Sequence, residues 1–319
     1  MKVISFLLCM EKFMRYTDSP KFKTELSRME LYLSLVDYRQ STIEGYLQTL
    51  FECCEWLDKT YHVSINDADL EQLQSFLVFL HKPVDKGGRG LKPRSVNVYN
   101  VSIRRYRASV MHAPIPKEDL PLMKVDHVLP KVPTRQEVQK LIKETKNPRN
   151  RMILALAFGC ALRLNEVLSL RFGDISFKRM QVTIRAEVSK NRDEGKVELP
   201  KDLANMIYLY YKRFRQGAKS EDYLFPGKVS GQHLSDGAAQ RFFQKRMKEL
   251  GWENRGYHFH SLRHAHALFY YQSGADLFQV QVRLRHRSIA STMIYVQLDG
   301  QLQERKKVGN PFDGSGFEL

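Results

Sequence analysis

A cluster of prolines near the middle of the chain limits what it can fold into. Five of the twelve prolines lie between positions 114 and 133. Each proline ring removes a backbone donor and disfavours a helical conformation in the residue before it. The stretch APIPKEDLPLMKVDHVLPKVP therefore cannot hold a long helix. We predict a linker at residues 116–133, between a domain over 1–115 and a domain over 134–300.

The segments on either side of this linker predict a mainly helical protein with a small β-hairpin. Apolar residues recur three and four apart in four segments before the linker, which is typical of a helical domain. After the linker, Thr134 and Glu137 have the spacing of a capping box at the start of a helix. The segments QVTIRAEV and KVELP flank the polar turn SKNRDEG, which predicts a hairpin and an α+β second domain.

The charge of the chain indicates a polyanionic partner. Lys plus Arg is 51 against 35 for Asp plus Glu, a formal net charge of +16, which favours DNA, RNA or an anionic membrane surface. Residues 86–117 contain no acidic residue, and short polar side chains alternate there with basic ones. We predict DNA contacts from this block; the alternative is a solvated basic face. The predicted contact residues are Lys92, Arg94, Asn97, Asn100, Arg104, Arg105 and Arg107.

Apolar runs and cysteines point to a cytoplasmic protein. The apolar run at residues 3–10 is too short to span a bilayer, and it is followed directly by charged residues. None of the four cysteines has metal-ligand spacing, and the adjacent Cys53 and Cys54 are poor disulfide partners for each other. We therefore predict no membrane association and a reduced, cytoplasmic protein.

An arginine lies inside an otherwise apolar run, FGCALRLNEVLSL. Burying the Arg163 guanidinium is unfavourable unless it is paired or faces a ligand. Glu166, three residues further on, is a possible partner on the same helix. From these residues alone, an ion pair and a ligand-binding arginine are both open.

The segment YHFHSLRHAH concentrates four histidines around one arginine. His260 and Arg263 are three residues apart and so share a helix face, and His264 follows. A metal site is the competing interpretation. We predict no metal here, because the segment has no HExxH arrangement and no nearby cysteine pair, and Arg263 would repel a cation.

Six positions together resemble the tyrosine recombinase family, which includes phage integrases and Xer-type resolvases. They are Arg163 in ALRLNEVLSLRFGDI, Lys190 in the hairpin, His260 and Arg263 in HSLR, His286 in LRHRSI and Tyr295 in TMIYVQL. The resemblance covers the second domain, including YLFP at 223–226. The segments STIEGYLQTL and LKPRSVNVYNVSIRR are similar to that family's core-binding domain.

The resemblance implies that Tyr295 attacks a DNA phosphate and forms a 3′-phosphotyrosyl link with a free 5′ hydroxyl. A tyrosine hydroxyl, with a pKa near 10, needs help to act as a nucleophile. The resemblance implies that His260 accepts the proton of the tyrosine hydroxyl and that Arg163 and Arg263 bind the phosphate oxygens. Guanidinium groups bind such oxygens bidentately. These arginines take over the electrostatic role of a metal, so no metal cofactor is expected. One phosphodiester is exchanged for another with little loss of free energy, so no ATP is expected.

Three further roles follow from the resemblance. Lys190 would protonate the leaving 5′ oxygen, although Lys196, across the turn, competes for that assignment. His286 would donate a hydrogen bond to the phosphate, and Glu166 would support Arg163.

The chain also departs from the family pattern. Arg285 replaces the glycine that usually precedes the histidine at His286, so it must adopt a less favourable conformation, change the local geometry, or add a phosphate contact. Ser261 stands where aspartate is common.

The resemblance further implies a two-domain clamp on double-stranded DNA that assembles as a homotetramer on two duplexes, with an accessory factor that could set direction. It also implies a bacterial or archaeal protein associated with the nucleoid. The tail at 301–319 would dock on a neighbouring protomer; the alternative is a frayed terminus. We expect integration, excision or transposition of a mobile element. The alternatives are Xer-type dimer resolution, a type IB topoisomerase and a non-catalytic DNA-binding regulator.

Overall fold

The computed structural model describes residues 22–126, 128–189 and 193–302. For residues 301 and 302 it describes the backbone alone. Internal contacts divide the chain into two compact units, Met1–His127 and Val128–Leu319. Lys190 and most of the tail at 301–319 lie outside the described residues. No helix in the described ranges is both long and apolar enough to cross a membrane.

The described part of the first unit is a bundle of four α-helices. They are α1 (Lys23–Leu35), α2 (Gln40–Tyr61), α3 (Leu70–His81) and α4 (Pro93–Ser109). Helix α2 packs against the other three. It presents buried leucines at positions 47, 50 and 57, the spacing of one helix face. Trp56 packs edge-on against Tyr61 and tilted against Phe76 and Phe79.

Side chains of α4 hold the chain that follows it. Residues 113–126 form no helix or strand, as the prolines predict. Polar side chains of α4 bind backbone groups of this stretch, and Leu120 is buried in the core of the bundle. The side chains and backbone partners are Asn97 with Met123 (2.8 and 2.9 Å), Asn100 with Pro121 (3.0 Å) and Arg104 with Ile115 and Leu120 (3.1 Å each). The predicted linker is therefore attached to the first unit as far as Met123.

The second unit is mainly helical with one small antiparallel sheet. Its helices are α5 (Arg135–Glu144), α6 (Pro148–Gly159), α7 (Leu164–Leu168), α8 (Lys201–Phe214), α9 (Asp236–Glu249), α10 (Phe259–Gln272), α11 (Leu277–Leu284) and α12 (Ile294–Leu302). The strands are β1 (Ile175–Ser176), β2 (Gln181–Ile184) and β3 (Gly195–Glu198), in the order β1-β2-β3. Val182 lies opposite Ile175 on one side and Val197 on the other, so three apolar residues share a face. The predicted hairpin corresponds to β2 and β3.

Helix α6 is the centre of the second core. Every residue from 152 to 157 is buried, so this helix is apolar on all sides rather than amphipathic. It packs against α8 and α10. The predicted capping box of α5 is confirmed. The Thr134 hydroxyl accepts from the Glu137 N–H at 3.2 Å, and the Glu137 carboxylate accepts from the Thr134 N–H at 2.8 Å.

Candidate active site

The predicted site residues of the second unit lie at the ends of short elements that meet around α10. Arg163 is the residue before α7, and Arg263 lies in the second turn of α10. His286 follows α11 by two residues, and Tyr295 is the second residue of α12. Helix α10 contacts both α11 and α12, and apolar side chains of all three pack around Tyr295. The fold therefore brings together residues that are up to 132 positions apart.

Arg263 is the most deeply buried charged group of the site. Its side chain is 1% exposed and donates to the backbone carbonyls of Ala161 and Leu284. Ala161, where the chain turns from α6 towards α7, has a positive φ of 51°. Burial lowers the pKa of Arg263 to about 9, so the guanidinium is still a cation at neutral pH. Two fixed carbonyls hold this charge in one orientation.

Glu166 is the shared partner of the arginines. One carboxylate oxygen accepts from Arg163 Nη1 at 2.9 Å, and the other accepts from the Arg163 N–H at 2.9 Å and from Arg285 Nη2 at 2.6 Å. Arg263 Nη1 lies 3.9 Å away. Burial opposes ionisation, but the Arg285 charge, the Arg163 N–H and the other arginines outweigh it and hold the pKa of Glu166 below its usual value. The Arg163 side chain remains 21% exposed, so pairing with Glu166 leaves it open to a ligand.

Arg285 adopts the left-handed conformation that its replacement of glycine predicts. It ends α11 with φ 53° and ψ 46°. Its side chain reaches Glu166 and is 15% exposed. A phosphate contact from this residue stays a prediction.

The hydroxyl of Tyr295 meets a histidine that the sequence interpretation left without a role. Tyr295 is 1% exposed, and its hydroxyl oxygen lies 3.0 Å from Nδ1 of His264. The His264 ring packs edge-on against His260, with ring centres 4.8 Å apart. His264 is four residues after His260 and adjacent to Arg263, which was the available signal in the sequence. Which of the two histidines meets the tyrosine depends on how α12 packs on α10.

Burial keeps Tyr295 and the neighbouring histidines in their uncharged forms. Burial raises the pKa of Tyr295 to about 12, although the charges of Arg263 and Arg163 act in the opposite direction. Desolvation lowers the pKa of His264 to about 3, and neighbouring histidines and Arg263 add to this. The pKa of the more exposed His260 is lowered to about 4, by desolvation and then by Arg263 and Arg163. Both histidines are therefore neutral at pH 7.

His286 is held by a buried threonine. Its Nδ1 lies 3.0 Å from the hydroxyl of Thr292, which is fully buried. The Gln281 side chain donates to the His286 carbonyl at 3.0 Å. Desolvation and the charges of Arg263 and Arg163 lower the pKa of His286 to about 4, so this ring is also neutral. A neutral ring that accepts at Nδ1 carries its proton on Nε2, where it can donate to a ligand.

Of the two candidate lysines, only Lys196 lies among the described residues. It pairs with Thr183 across the hairpin, and its ammonium lies 3.7 Å from Glu194. Lys196 and Glu198 alternate with buried Val197, and Glu198 binds Arg283 at 2.8 Å. By contrast, Gly195 contacts Arg285, which binds Glu166. Lys196 thus shares its side of β3 with Glu198 rather than with Gly195.

The predicted DNA-contact residues of the first unit separate into two groups. Four of them bind the chain's own backbone; these are Asn97, Asn100, Arg104 and Arg107. Lys92 and Arg94 are exposed, and the Arg105 guanidinium stacks over Tyr38 at 5.7 Å. Arg94 lines an open groove of about 420 Å³ between α2 and α4.

Comparison with known protein families gives one match that covers more than half of the chain. Residues 131–301 match the model of the phage integrase family. This range contains every predicted catalytic position, from Arg163 to Tyr295.

Curated relatives are similar over most of the chain. The tyrosine recombinase XerC of Xanthomonas campestris pv. campestris is 28% identical over 300 residues, which cover 89% of this chain and 88% of the relative. The tyrosine recombinase XerA of Pyrococcus furiosus is 27% identical over 280 residues, 86% of this chain and 89% of the relative.

Solved structures share the fold. The XerH site-specific recombinase bound to a palindromic difH substrate, a post-cleavage complex, aligns with a TM-score of 0.66 at 20% identity, over 82% of this chain and 77% of that one. The Tn1549 transposon integrase in complex with circular intermediate DNA aligns with a TM-score of 0.64 at 16% identity, over 86% and 99%.

Proposed function

Because the chain belongs to the phage integrase family and is a tyrosine-type site-specific recombinase, we propose that Tyr295 is the nucleophile that cuts and rejoins its DNA. One observation carries this assignment: the Tyr295 hydroxyl is hydrogen-bonded to a neutral histidine, next to arginines that can hold a phosphate. A nucleophile beside a base, with cations at the position of the developing charge, is the arrangement that phosphoryl transfer requires.

The proposed reaction exchanges one phosphodiester for another. The Tyr295 oxygen forms a bond to the scissile phosphorus, and the bond from phosphorus to the 5′ oxygen breaks. Arg163 and Arg263 bind the non-bridging oxygens, which carry the negative charge in the transition state. His286, accepting at Nδ1 from Thr292, donates from Nε2 to the same phosphate. The electrostatic role falls to arginines and the bond energy is retained, so the reaction needs neither metal nor ATP.

Two protons move in this reaction. We assign the hydroxyl of Tyr295 as the donor to His264 Nδ1, because His264 is the histidine within hydrogen-bond distance. His260, packed against His264, then faces the site beside Arg163 rather than receiving the proton directly. The leaving 5′ oxygen takes its proton from Lys190. Lys196 is the less suitable donor, because it lies on the same side of β3 as Glu198 and not on the side of Gly195.

The proposed partner is double-stranded DNA, with one strand of each of two duplexes cut at a time in a homotetramer. The related XerH and Tn1549 integrase structures contain DNA, which supports this partner. Within the first unit we propose phosphate contacts from Lys92, Arg94 and Arg105, since the other predicted side chains bind the chain's own backbone. We propose integration, excision or transposition of a mobile element, with an accessory factor that sets direction. Xer-type dimer resolution is the alternative that the XerC and XerA relatives support.

A covalent-capture experiment tests the proposal. Full-length protein is mixed with a library of nicked duplexes of random sequence, in which the short strand beyond a cleaved phosphate diffuses away and traps the adduct. Adducts isolated under denaturing conditions and sequenced then give the recombination site. The wild type is expected to form adducts through a 3′ phosphate, whereas Tyr295→Phe is expected to bind the recovered site without forming any.

The same experiment separates the alternatives. Adducts formed by Tyr295→Phe would refute the nucleophile. Binding by the wild type without any adduct would indicate a regulator. Relaxation of plasmids that lack the recovered site would indicate a topoisomerase.

A further inference from the structure

Arg285 is held in an arrangement that is unfavourable in three respects. Its backbone is left-handed, with φ 53° and ψ 46°, which any residue with a Cβ adopts reluctantly. Its charge is largely buried, with 15% of the side chain exposed. Two of its donors, Nε and Nη1, are buried and have no hydrogen-bond partner among the described residues. Unfavourable arrangements of this kind persist where the surroundings require them.

The favourable contact that opposes these costs is the one with Glu166. Arg285 Nη2 donates to one carboxylate oxygen at 2.6 Å, and Arg163 Nη1 donates to the other at 2.9 Å. With both oxygens held, the carboxylate cannot rotate, and the guanidinium of Arg163 is fixed in turn. Arg285 therefore acts on Arg163 through Glu166, which lies 119 positions before Arg285 in the sequence.

The charge balance points in the same direction. A lone carboxylate near the scissile phosphate would repel it. Three guanidinium groups, those of Arg163, Arg263 and Arg285, surround the one carboxylate of Glu166, so three positive charges against one negative leave a net charge of +2. With glycine in place of Arg285, the same cluster would have a net charge of +1.

The side chain of Arg285 passes directly over Gly195 on its way to Glu166. A Cβ at Gly195 would lie 2.5 Å from Cδ of Arg285 and 3.2 Å from its Nε, so the arginine would have to leave its present position. Gly195 is the first residue of β3, which follows the segment that contains Lys190. Arg285 thus links the start of β3 to α7 and α11.

We propose that Arg285 is a positioning residue for strand cleavage. It packs against Gly195 and binds Glu166, which orients Arg163 towards the scissile phosphate. Its positive charge also offsets the negative charge of the buried carboxylate. The proposal rests on the proposed function. It adds to that function Arg285, which departs from the family pattern, and Gly195, which leaves space for the arginine side chain.

Two substitutions of similar length isolate the charge. Arg285→Lys and Arg285→Met both keep a long unbranched side chain over Gly195 and the same backbone, and they differ in charge. The rate of adduct formation is measured at saturating nicked duplex, with duplex affinity measured separately. We expect Arg285→Lys to stay within a few-fold of the wild type. We expect Arg285→Met to be about tenfold slower with unchanged affinity, the effect of losing one charge-assisted hydrogen bond.

A second substrate distinguishes positioning for catalysis from a merely structural role. A duplex with a methylphosphonate at the scissile position carries no charge there. The loss in Arg285→Met should be smaller on this substrate, because a neutral group is not repelled by Glu166. A purely structural defect would slow both substrates equally, and would lower the melting temperature.

The role of Gly195 is tested by a double-mutant cycle. Gly195→Ala displaces Arg285 and should slow cleavage as Arg285→Gly does. Arg285→Gly suits the left-handed backbone, so this variant should fold. The double variant Gly195→Ala/Arg285→Gly should be no slower than Arg285→Gly alone, because the added Cβ then has room.

Each outcome decides a separate point. Equal rates for Arg285→Lys and Arg285→Met, or additive losses in the cycle, would overturn the role of Arg285 while the wild type still forms adducts. A wild type that forms no adduct would overturn the proposed function itself, and this inference with it.

Discussion

Replacing His264 with phenylalanine removes the only observed partner of the Tyr295 hydroxyl within the described part of the chain. His264 Nδ1 lies 3.0 Å from that hydroxyl, and Tyr295 is 1% exposed, so water cannot readily take the place of the ring. Phenylalanine keeps an aromatic ring beside His260 and removes both the hydrogen bond and the proton acceptor.

Two magnitudes follow from this geometry. A buried hydroxyl left without a partner destabilises the fold by about 1–3 kcal/mol. A positioned base that accepts the proton of a nucleophile contributes about 10²–10⁴-fold in rate. Because the pKa of His264 is lowered to about 3, far below neutral pH, the ring is a weak base and the smaller part of that range is expected.

The assay is single-turnover adduct formation on the nicked duplex, followed from pH 5 to pH 9. The wild-type rate should change little down to pH 5, because the pKa of His264 is lowered to about 3 and the ring stays neutral. The rate of His264→Phe should rise with pH, because the ionised fraction of Tyr295 increases as the pH approaches its raised pKa. His266→Phe is the matched control: His266 lies on the same helix and contacts Phe158 and Tyr270.

The result that would refute this reasoning is a wild-type rate for His264→Phe at neutral pH. If His260→Phe lost activity in the same series while His264→Phe did not, the tyrosine proton would belong to His260, as the family resemblance implies. A loss in His266→Phe equal to that in His264→Phe would attribute both effects to the folding of α10.

Three further predictions concern DNA binding and stability. Arg94→Gln should weaken duplex binding, since one phosphate contact is lost. The slope of the logarithm of the binding constant against the logarithm of the salt concentration should fall in magnitude by about 1; an unchanged slope would contradict the contact. Asn100→Ala should lower the free energy of unfolding of the first unit by about 1–3 kcal/mol, measured with urea, because the carbonyls of residues 120 and 121 lose a buried donor. Burial lowers the pKa of His266 to about 4, below its unfolded value of about 6.5. The contribution of the neutral ring to the free energy of unfolding is therefore present above pH 6.5 and is lost as the pH falls towards 4. Between pH 7 and pH 5 the wild type should therefore lose about 2 kcal/mol more stability than His266→Phe; equal losses would show that this ring is not protonated on unfolding.

The helices of the first unit, the start of α5 and the hairpin could be predicted from local patterns. Helical periodicity indicated the four helices of the first unit, and the Thr134 capping box marked the start of α5. The alternatives left open for Arg163 turned out to be compatible, since it pairs with Glu166 and is still partly exposed. These features depend on residues a few positions apart, which is the range over which sequence spacing determines geometry.

The contacts that refine the site depend on packing between distant elements. The contact between His264 and Tyr295 depends on how α12 lies on α10, and the contact between Arg285 and Glu166 joins residues from separate elements. Composition also could not separate the polar residues of α4 by role. Asn100 is a short polar side chain in a basic block, as DNA-binding residues are, but it is buried and binds backbone carbonyls.

The close approach of Arg285 to Gly195 has an evolutionary consequence. In its present position, the arginine at 285 occupies the space that a Cβ at residue 195 would need, whereas a glycine at 285 leaves residue 195 free to vary. Glycine at 195 should therefore be favoured for as long as the arginine keeps this path to Glu166. Among relatives that carry arginine before this histidine, we expect glycine at the first residue of the third strand.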